Sequence, residues 1–189
     1  GISTGDNSSF IVLWHEVDFF KSRIASESDW LYTPHNKGGE YRKWYGNIEH
    51  FLKYSTSALK RMEKCAGFRH DGKEFYFQPH ITWSKISSGK ASFRYFNDGF
   101  TFDSAGLGLF FLDNSMNITI LSLLNSKVIE ALLSFLNPTL NVTPITISSL
   151  PYIDTNQKVE CIAHDCIDIS TFDWDSFETS WDFTRHPML

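Results

Sequence analysis

Residues 74–112 read EFYFQPHITWSKISSGKASFRYFNDGFTFDSAGLGLFFL, and their pattern decides the fold class. Phe75, Phe77, Ile81 and Trp83 recur at even spacing, which sends them to one face of an extended chain. Residues 91–96, 100–103 and 107–112 continue as strands. Ser87-Ser-Gly-Lys90 and Asn97-Asp-Gly99 stand between them as turn chemistry, and the Asp-Gly pair is a strong hairpin signal. The expectation is a mostly antiparallel, twisted sheet.

Working outward, helices flank this sheet. Before it, Asp6 or Asn7 can cap a helix whose apolar stripe is Phe10, Leu13, Trp14, Val17, Phe20 and Ile24, and this stripe reads as core packing. Residues 30–35 and 41–47 read as two short strands around a glycine turn, and 57–65 as a short helix with Lys60, Arg61 and Lys64 on its outer face. After the sheet, residues 116–124 and 126–136 regain helical periodicity. Ser126 caps the second of these helices, whose apolar face is Val128, Ile129, Leu132, Leu133 and Leu136, and Asn137-Pro138 ends it. Residues 143–150 are β-rich and closed by Pro151. A last amphipathic helix carries Val159, Ile162, Ala163, Cys166 and Ile167, before an acidic, Trp-rich end at 173–182. The class is α+β. Residues 1–155 form one domain, and 156–189 form a helical extension that packs on it or on a neighbouring domain.

At 189 residues the chain is long enough for one well-buried core, and its 17 Phe and 6 Trp exclude a disordered tail. The net charge of −5 argues against a general nucleic-acid binder, but its distribution is uneven. Residues 34–101 hold 12 Lys and Arg against 6 Asp and Glu, a net of +6, while the remainder holds 5 against 16, a net of −11. An acidic body with a basic middle third suggests one face built for a polyanion. Three cysteines make no even disulfide framework and fit a reducing cytosol. No apolar run is long enough to span a bilayer, and no signal peptide is legible, so the expected location is cytoplasmic with no membrane partner. Neither end reads as a natural terminus, which implies a segment of a larger protein.

The densest chemistry lies in Lys37-Gly-Gly-Glu-Tyr-Arg-Lys-Trp-Tyr-Gly-Asn47. Three cations, Lys37, Arg42 and Lys43, stand among Tyr41, Trp44 and Tyr45, with glycines on both sides. Cations on a glycine-flanked segment suit an anionic surface, and flat rings stack on bases or brace basic side chains. A plain surface hairpin is the alternative. Catalytic and metal readings fail on spacing. Cys161, His164 and Cys166 lack a second pair of ligands to complete a tetrahedral site, so no metal is expected. Asn137-Pro-Thr-Leu140 has Leu140 where an adenine-holding loop of an amino-methyltransferase needs an aromatic ring. No glycine-rich strand-turn-helix that seats S-adenosylmethionine is present.

Several phrases, taken in order, resemble one family. They are Gly1-Ile-Ser-Thr-Gly-Asp-Asn7 with Phe10 and Trp14, the 37–47 stretch, residues 82–96 with Phe102-Asp103, Leu124-Asn-Ser-Lys127, Leu136-Asn-Pro-Thr-Leu-Asn141 with Leu150-Pro151, and residues 174–183. Together they resemble the C-terminal part of the adenine-specific DNA methyltransferases of BREX phage-defence systems. Type IIG restriction-modification enzymes and type I specificity subunits are more distant relatives. The resemblance departs at Val142-Thr-Pro144, where the family carries a more polar, glycine-containing turn. It implies that the catalytic domain with its S-adenosylmethionine site lies outside this segment, which needs no cofactor and is itself non-catalytic. The segment would be a target recognition domain, with double-stranded DNA, its own methyltransferase domain and other defence components as partners.

A recognition domain positions itself on phosphates and reads sequence from base edges. The residues expected at base edges are Arg42, Lys43 and Arg94, because Arg can bind guanine O6 and N7 bidentately. Lys37, Lys60, Arg61, Lys64, Lys85 and Lys90 suit phosphates, and Ser84, Ser87 and Ser88 can add neutral hydrogen bonds. Trp44 and Tyr45 brace their strand or stack on DNA. The acidic end, whose charge opposes phosphate, is expected to face a partner domain. The rival reading is a protein-interaction domain whose basic face binds an acidic partner, and a strand-rich nuclease is a third.

Overall fold

The sheet read from the sequence is divided in three in the computed structural model, which describes residues 1–23, 30–86, 89–137, 139 and 141–189. In chain order the strands are β1 (Ile2–Ser3), β2 (Ile11–Leu13), β3 (Tyr32–Asn36), β4 (His50–Lys53), β5 (Arg69–His70), β6 (His80–Ser84), β7 (Phe93–Phe96), β8 (Thr101–Phe102) and β9 (Gly106–Leu109). The helices are α1 (Asn7–Phe10), α2 (Thr56–Met62), α3 (Met116–Leu124), α4 (Lys127–Leu136), α5 (Pro144–Ser148) and α6 (Gln157–Asp175). β1 pairs with β5, a second sheet runs in the order β2-β4-β3-β8, and a third in the order β7-β6-β9. Every strand pair is antiparallel except β3 with β8, which runs parallel through His35 and Thr101. The expected α+β class holds, with antiparallel pairing dominant.

Each sheet needs an apolar cover, and the helices supply it. Ile81 and Trp83 of β6 and Phe93 of β7 pack on Leu121 and Leu124 of α3 and on Ile129 and Leu133 of α4, all buried. The Trp83 indole N–H is satisfied there, donating to the Val142 carbonyl at 2.9 Å. A second core gathers Ile2, Phe10, Leu52, Met62, Tyr76 and Phe102 around α2. Both faces of β6 are buried, so Thr82 points the other way into a polar seam that ties the second sheet to the third. There Asn36 Nδ2 donates to Thr82 Oγ1 and to the Gly106 carbonyl, and Thr82 Oγ1 donates to the Leu107 carbonyl at 2.8 Å. Burial without a proton partner for the second ring nitrogen keeps His35 neutral, with its pKa lowered to about 3.

Side-chain caps begin five of the helices where the sequence places small polar residues, α1 among them with Asp6 accepting from the Ser9 N–H. Ser55 accepts from the Ala58 N–H, Ser126 from Ile129, Thr143 from Thr146 and Asn156 from Val159. Among the described residues no single helix is long and apolar enough to cross a membrane.

Four expectations are corrected. The N-terminal helix stops after Phe10, because β-branched Ile11 and Val12 are drawn into β2 against Leu52 and Phe51 of β4; Ile24 lies outside the described residues. Residues 41–47 form no strand. Trp44 and Asn47 take φ of 72° and 64° and Gly46 takes 114°, values that extended backbone does not have, and among the described residues one isolated bridge, Trp44 with Arg94, joins the segment to a sheet. Asn97-Asp-Gly99 is a turn but not a hairpin: β7 before it pairs only with β6, and β8 after it pairs with β3, so the turn passes the chain from one sheet to another. Residues 143–150 hold a helix, since the Thr143 cap and Pro144 at the first helical position outweigh the β-propensity of Ile145 and Ile147.

Candidate nucleic-acid interface

The 37–47 segment is a loop with an internal skeleton. Gly38 (φ 76°) turns it, and its N–H donates to Asn36 Oδ1 at 3.0 Å. A Cβ on Gly38 would stand 2.8 Å from the Ala105 carbonyl oxygen, and one on Gly39 would meet the Asn47 side chain at 2.7 Å, so both positions require glycine. Asn47 Nδ2 closes the loop on the Glu40 carbonyl at 2.9 Å. The Trp44 backbone is stitched to β7, receiving from Tyr95 N–H at 2.9 Å and donating to the Phe93 carbonyl at 2.8 Å.

The three residues expected to read bases are all engaged inside the protein. Arg94 is 0% exposed. Its guanidinium donates to the Arg42 carbonyl at 3.2 Å and to Ser84 Oγ at 3.3 Å, and burial followed by the nearby Arg42 charge pulls its pKa down to about 10. It is a strut beneath the loop, and in this conformation it does not reach a groove. Arg42 donates through Nε to the Tyr45 carbonyl at 3.1 Å, pairs through Nη2 with Asp173 of α6, and lies over the Trp174 ring at 5.0 Å. Lys43 donates to the Asn125 carbonyl at 3.0 Å and stands 3.5 Å from Glu130. The expectation that these cations face solvent together is therefore corrected: each satisfies a neighbouring carbonyl or carboxylate.

The remaining candidates separate into three places. Lys37, Ser84 and Lys85 come together around a cleft of about 280 Å³ that Gly39, Ile86, Ser104 and Ala105 complete. Ser84 Oγ donates to the Gly39 carbonyl at 2.7 Å, fixing one wall of the cleft. Lys37 is half-buried and bonds Asp103 at 2.9 Å. Burial alone would raise the Asp103 carboxyl; the Lys37 hydrogen bond and the Ala105 backbone N–H outweigh it and hold Asp103 below its ordinary value. Lys90 bonds Glu130 Oε1 at 2.6 Å, so Lys43, Lys90 and Lys127 converge on one carboxylate. Lys60, Arg61 and Lys64 are exposed on or just beyond α2, which packs on the other core, with the Arg61 guanidinium 5.3 Å above the Phe10 ring. Trp44 packs against the first core as a brace. Tyr45 is half-buried, its hydroxyl pushed up to about 12 by burial and then by Asp175 and Asp182. Ser87 and Ser88 lie outside the described residues.

Sequence reasoning missed the hold of α6 on the loop. A second cleft of about 410 Å³ lies between Gly38, Tyr41 and His50 on one side and Trp174 and Phe177 on the other. The acidic, Trp-rich end also packs back on its own chain, with the Trp181 ring 4.9 Å from Phe51 and 5.0 Å from Phe19. The available signal was the complementarity of a Trp-Asp cluster at 173–182 to an Arg-Lys cluster at 42–43.

No protein-family model matches the chain. Over its whole length it is 37% identical to the Adenine-specific methyltransferase PglX of Lacticaseibacillus casei (strain Zhang), in an alignment 203 positions long. It is 35% identical over its whole length to the Adenine-specific methyltransferase BrxX of Escherichia coli O9:H4 (strain HS), in an alignment 192 positions long. The chain spans 17% and 16% of these two relatives, about a sixth of their length. The resemblance to adenine-specific methyltransferases that the sequence phrases carry is thus borne out over the full chain.

Proposed function

We propose that this chain is the DNA-recognition segment of an adenine-specific DNA methyltransferase of a BREX phage-defence system, with residues 1–155 gripping the duplex and 156–189 as the helical extension. The catalytic chemistry and its S-adenosylmethionine belong to the rest of the full-length enzyme, and the segment contributes position and specificity. The observation that carries this reading is the cleft at the Gly38-Gly39 turn, where Lys85 stands with Ser84 and Ser104 and no carboxylate is among the lining residues, Lys37 in the same lining being paired with Asp103. A phosphate oxygen needs donors and positive charge at a rigid wall, and this cleft supplies both.

Reassigned on geometry, Lys85 holds phosphate beside the turn, and Lys60, Arg61 and Lys64 form a separate basic strip on and just beyond α2. Tyr41, exposed at the mouth of the larger cleft, is the ring placed to meet a base. Arg42, Lys43 and Arg94 fix the loop that carries these groups.

The test uses the full-length enzyme. Exchanging this segment for that of a relative should change the methylated sequence, read by sequencing methylated genomic DNA. Lys85→Ala should weaken binding to every duplex and flatten the dependence of affinity on salt by about 0.9 logarithmic unit, the share of one phosphate contact. An unchanged methylation pattern after the exchange would overturn the proposal.

A further inference from the structure

Helix α6 is apolar on two sides, and only one of them is used. Ala163 and Trp174 are buried against the body of the chain, and Ile167 packs on its first core. At 100° per residue, Ile162, Ile169 and Phe172 fall on the opposite side, and they are 51%, 69% and 69% exposed. They form a ridge along about 15 Å of helix. A surface helix with one wet face does not need such a ridge. Helix α2 shows the ordinary case, with Lys60 and Arg61 on its outer side.

Acidic residues interleave the ridge. Asp165 lies between Phe172 and Ile169 and Asp168 flanks them, both exposed, so the surface that covers the ridge must set Lys or Arg among its apolar groups. The chain spans about a sixth of its relatives' length, which leaves a much larger body of the same polypeptide to supply that surface. We propose that the Ile162–Ile169–Phe172 ridge is the docking face on which this segment seats against the catalytic part of its own full-length chain, an inference that rests on the function proposed above. Trp174 on the buried side of α6 and Asp173 at the edge of the ridge together clasp Arg42. The helix therefore stands between the catalytic part and the glycine loop as a rigid spacer that sets the height of the loop over DNA.

The experiment is done in the full-length enzyme. A photo-crosslinking amino acid at position 169 should join peptides of the catalytic part within one polypeptide. Ile169→Cys should react with maleimide at least tenfold more slowly in the native enzyme than after unfolding in urea, equally at 0.1 and 10 µM protein. Crosslinks confined to residues 1–189, or labelling as fast in the native as in the unfolded state, would overturn the proposal. Protection that disappears on dilution would also overturn it, by assigning the face to a second copy. These readouts do not depend on DNA. Protection at 169 together with an unchanged methylation pattern after segment exchange would sink the DNA reading and leave the docking face intact.

Discussion

The glycine loop at 37–47 and the segment 56–64 that holds α2 carry three cations each, yet they use them in opposite ways. In the loop, Lys37, Arg42 and Lys43 all end on oxygens of their own chain. On and just beyond α2, Lys60, Arg61 and Lys64 project from a helix whose other side, Ala58 and Met62, is buried. The loop looks in sequence like a ligand-binding segment and is largely held by its charges. The helix looks like an ordinary solvated face and keeps its charges available. Positive charge in a sequence locates a basic region, whereas availability is decided by what lies within 3 to 4 Å after folding.

The first way to break this contrast is to remove the strut. Arg94→Ala leaves a cavity, the Arg42 carbonyl and Ser84 Oγ without their donor, and a loop without its support. It should destabilise the protein by about 4 kcal/mol, measured by urea unfolding. A loss below about 1 kcal/mol would show that the loop does not depend on its buried cation.

Acid should act next, through the seam beneath the loop. His35 and His80 are buried and neutral, with pKa values lowered to about 3 and about 4 from the ordinary 6.5. Above pH 6.5 both states are neutral and the full stability is present. As pH falls from 6.5 toward 4, only the unfolded chain takes up these protons, so stability is lost, and the loss levels off below the folded values. Partly buried His50 and His70 are lowered as well and act in the same direction. Between pH 7 and 5 the protein should lose about 3 kcal/mol by urea titration, and His80→Asn should remove about half of that slope.

Much of this is legible in the sequence, and what is not has identifiable causes. The helices at 116–124 and 126–136 and the strands around Ile81 and Phe93 follow directly from periodicity and a serine cap, because local preference and burial agree there. Residues 41–47 and 143–150 were misread, because in both the side chains favour β while the backbone is set by something else. In the first it is positive φ at Trp44, Gly46 and Asn47, and in the second a threonine cap with a proline behind it. The cleft at Lys37 and Lys85 could be anticipated as basic, but its closeness to Ser104 depends on β8 pairing parallel to β3 across 66 residues of chain. The hold of Asp173 on Arg42 spans 131 residues, a separation at which sequence offers only complementary charge.

Glu130 sharpens the comparison from the other side. It gathers Lys43, Lys90 and Lys127, and the hydrogen bond from Lys90 is the largest effect holding its carboxyl well below the ordinary range. Glu130→Gln should turn this corner of the loop into something more like α2, with lysines released from a common anion. Binding to non-cognate duplex should tighten, and its salt dependence should steepen by about one unit in a fluorescence titration. An unchanged salt slope would mean that the lysines stay anchored by other oxygens, as Lys43 already is by the Asn125 carbonyl.

The smallest effect on stability is expected on α2, and it is the most informative for function. Lys60→Ala and Lys64→Ala remove charges that lie in solvent, so each should shift unfolding free energy by no more than about 0.5 kcal/mol. If α2 faces DNA in the full-length enzyme, each substitution should nevertheless flatten the salt dependence of binding by about 0.9 unit, with no change in the sequence methylated. The two regions then separate: loss of the Arg94 strut acts through folding, and the α2 substitutions act through phosphate. If the α2 variants leave the salt slope untouched, the basic strip lies off the duplex, and the grip falls to the Lys37 and Lys85 cleft alone.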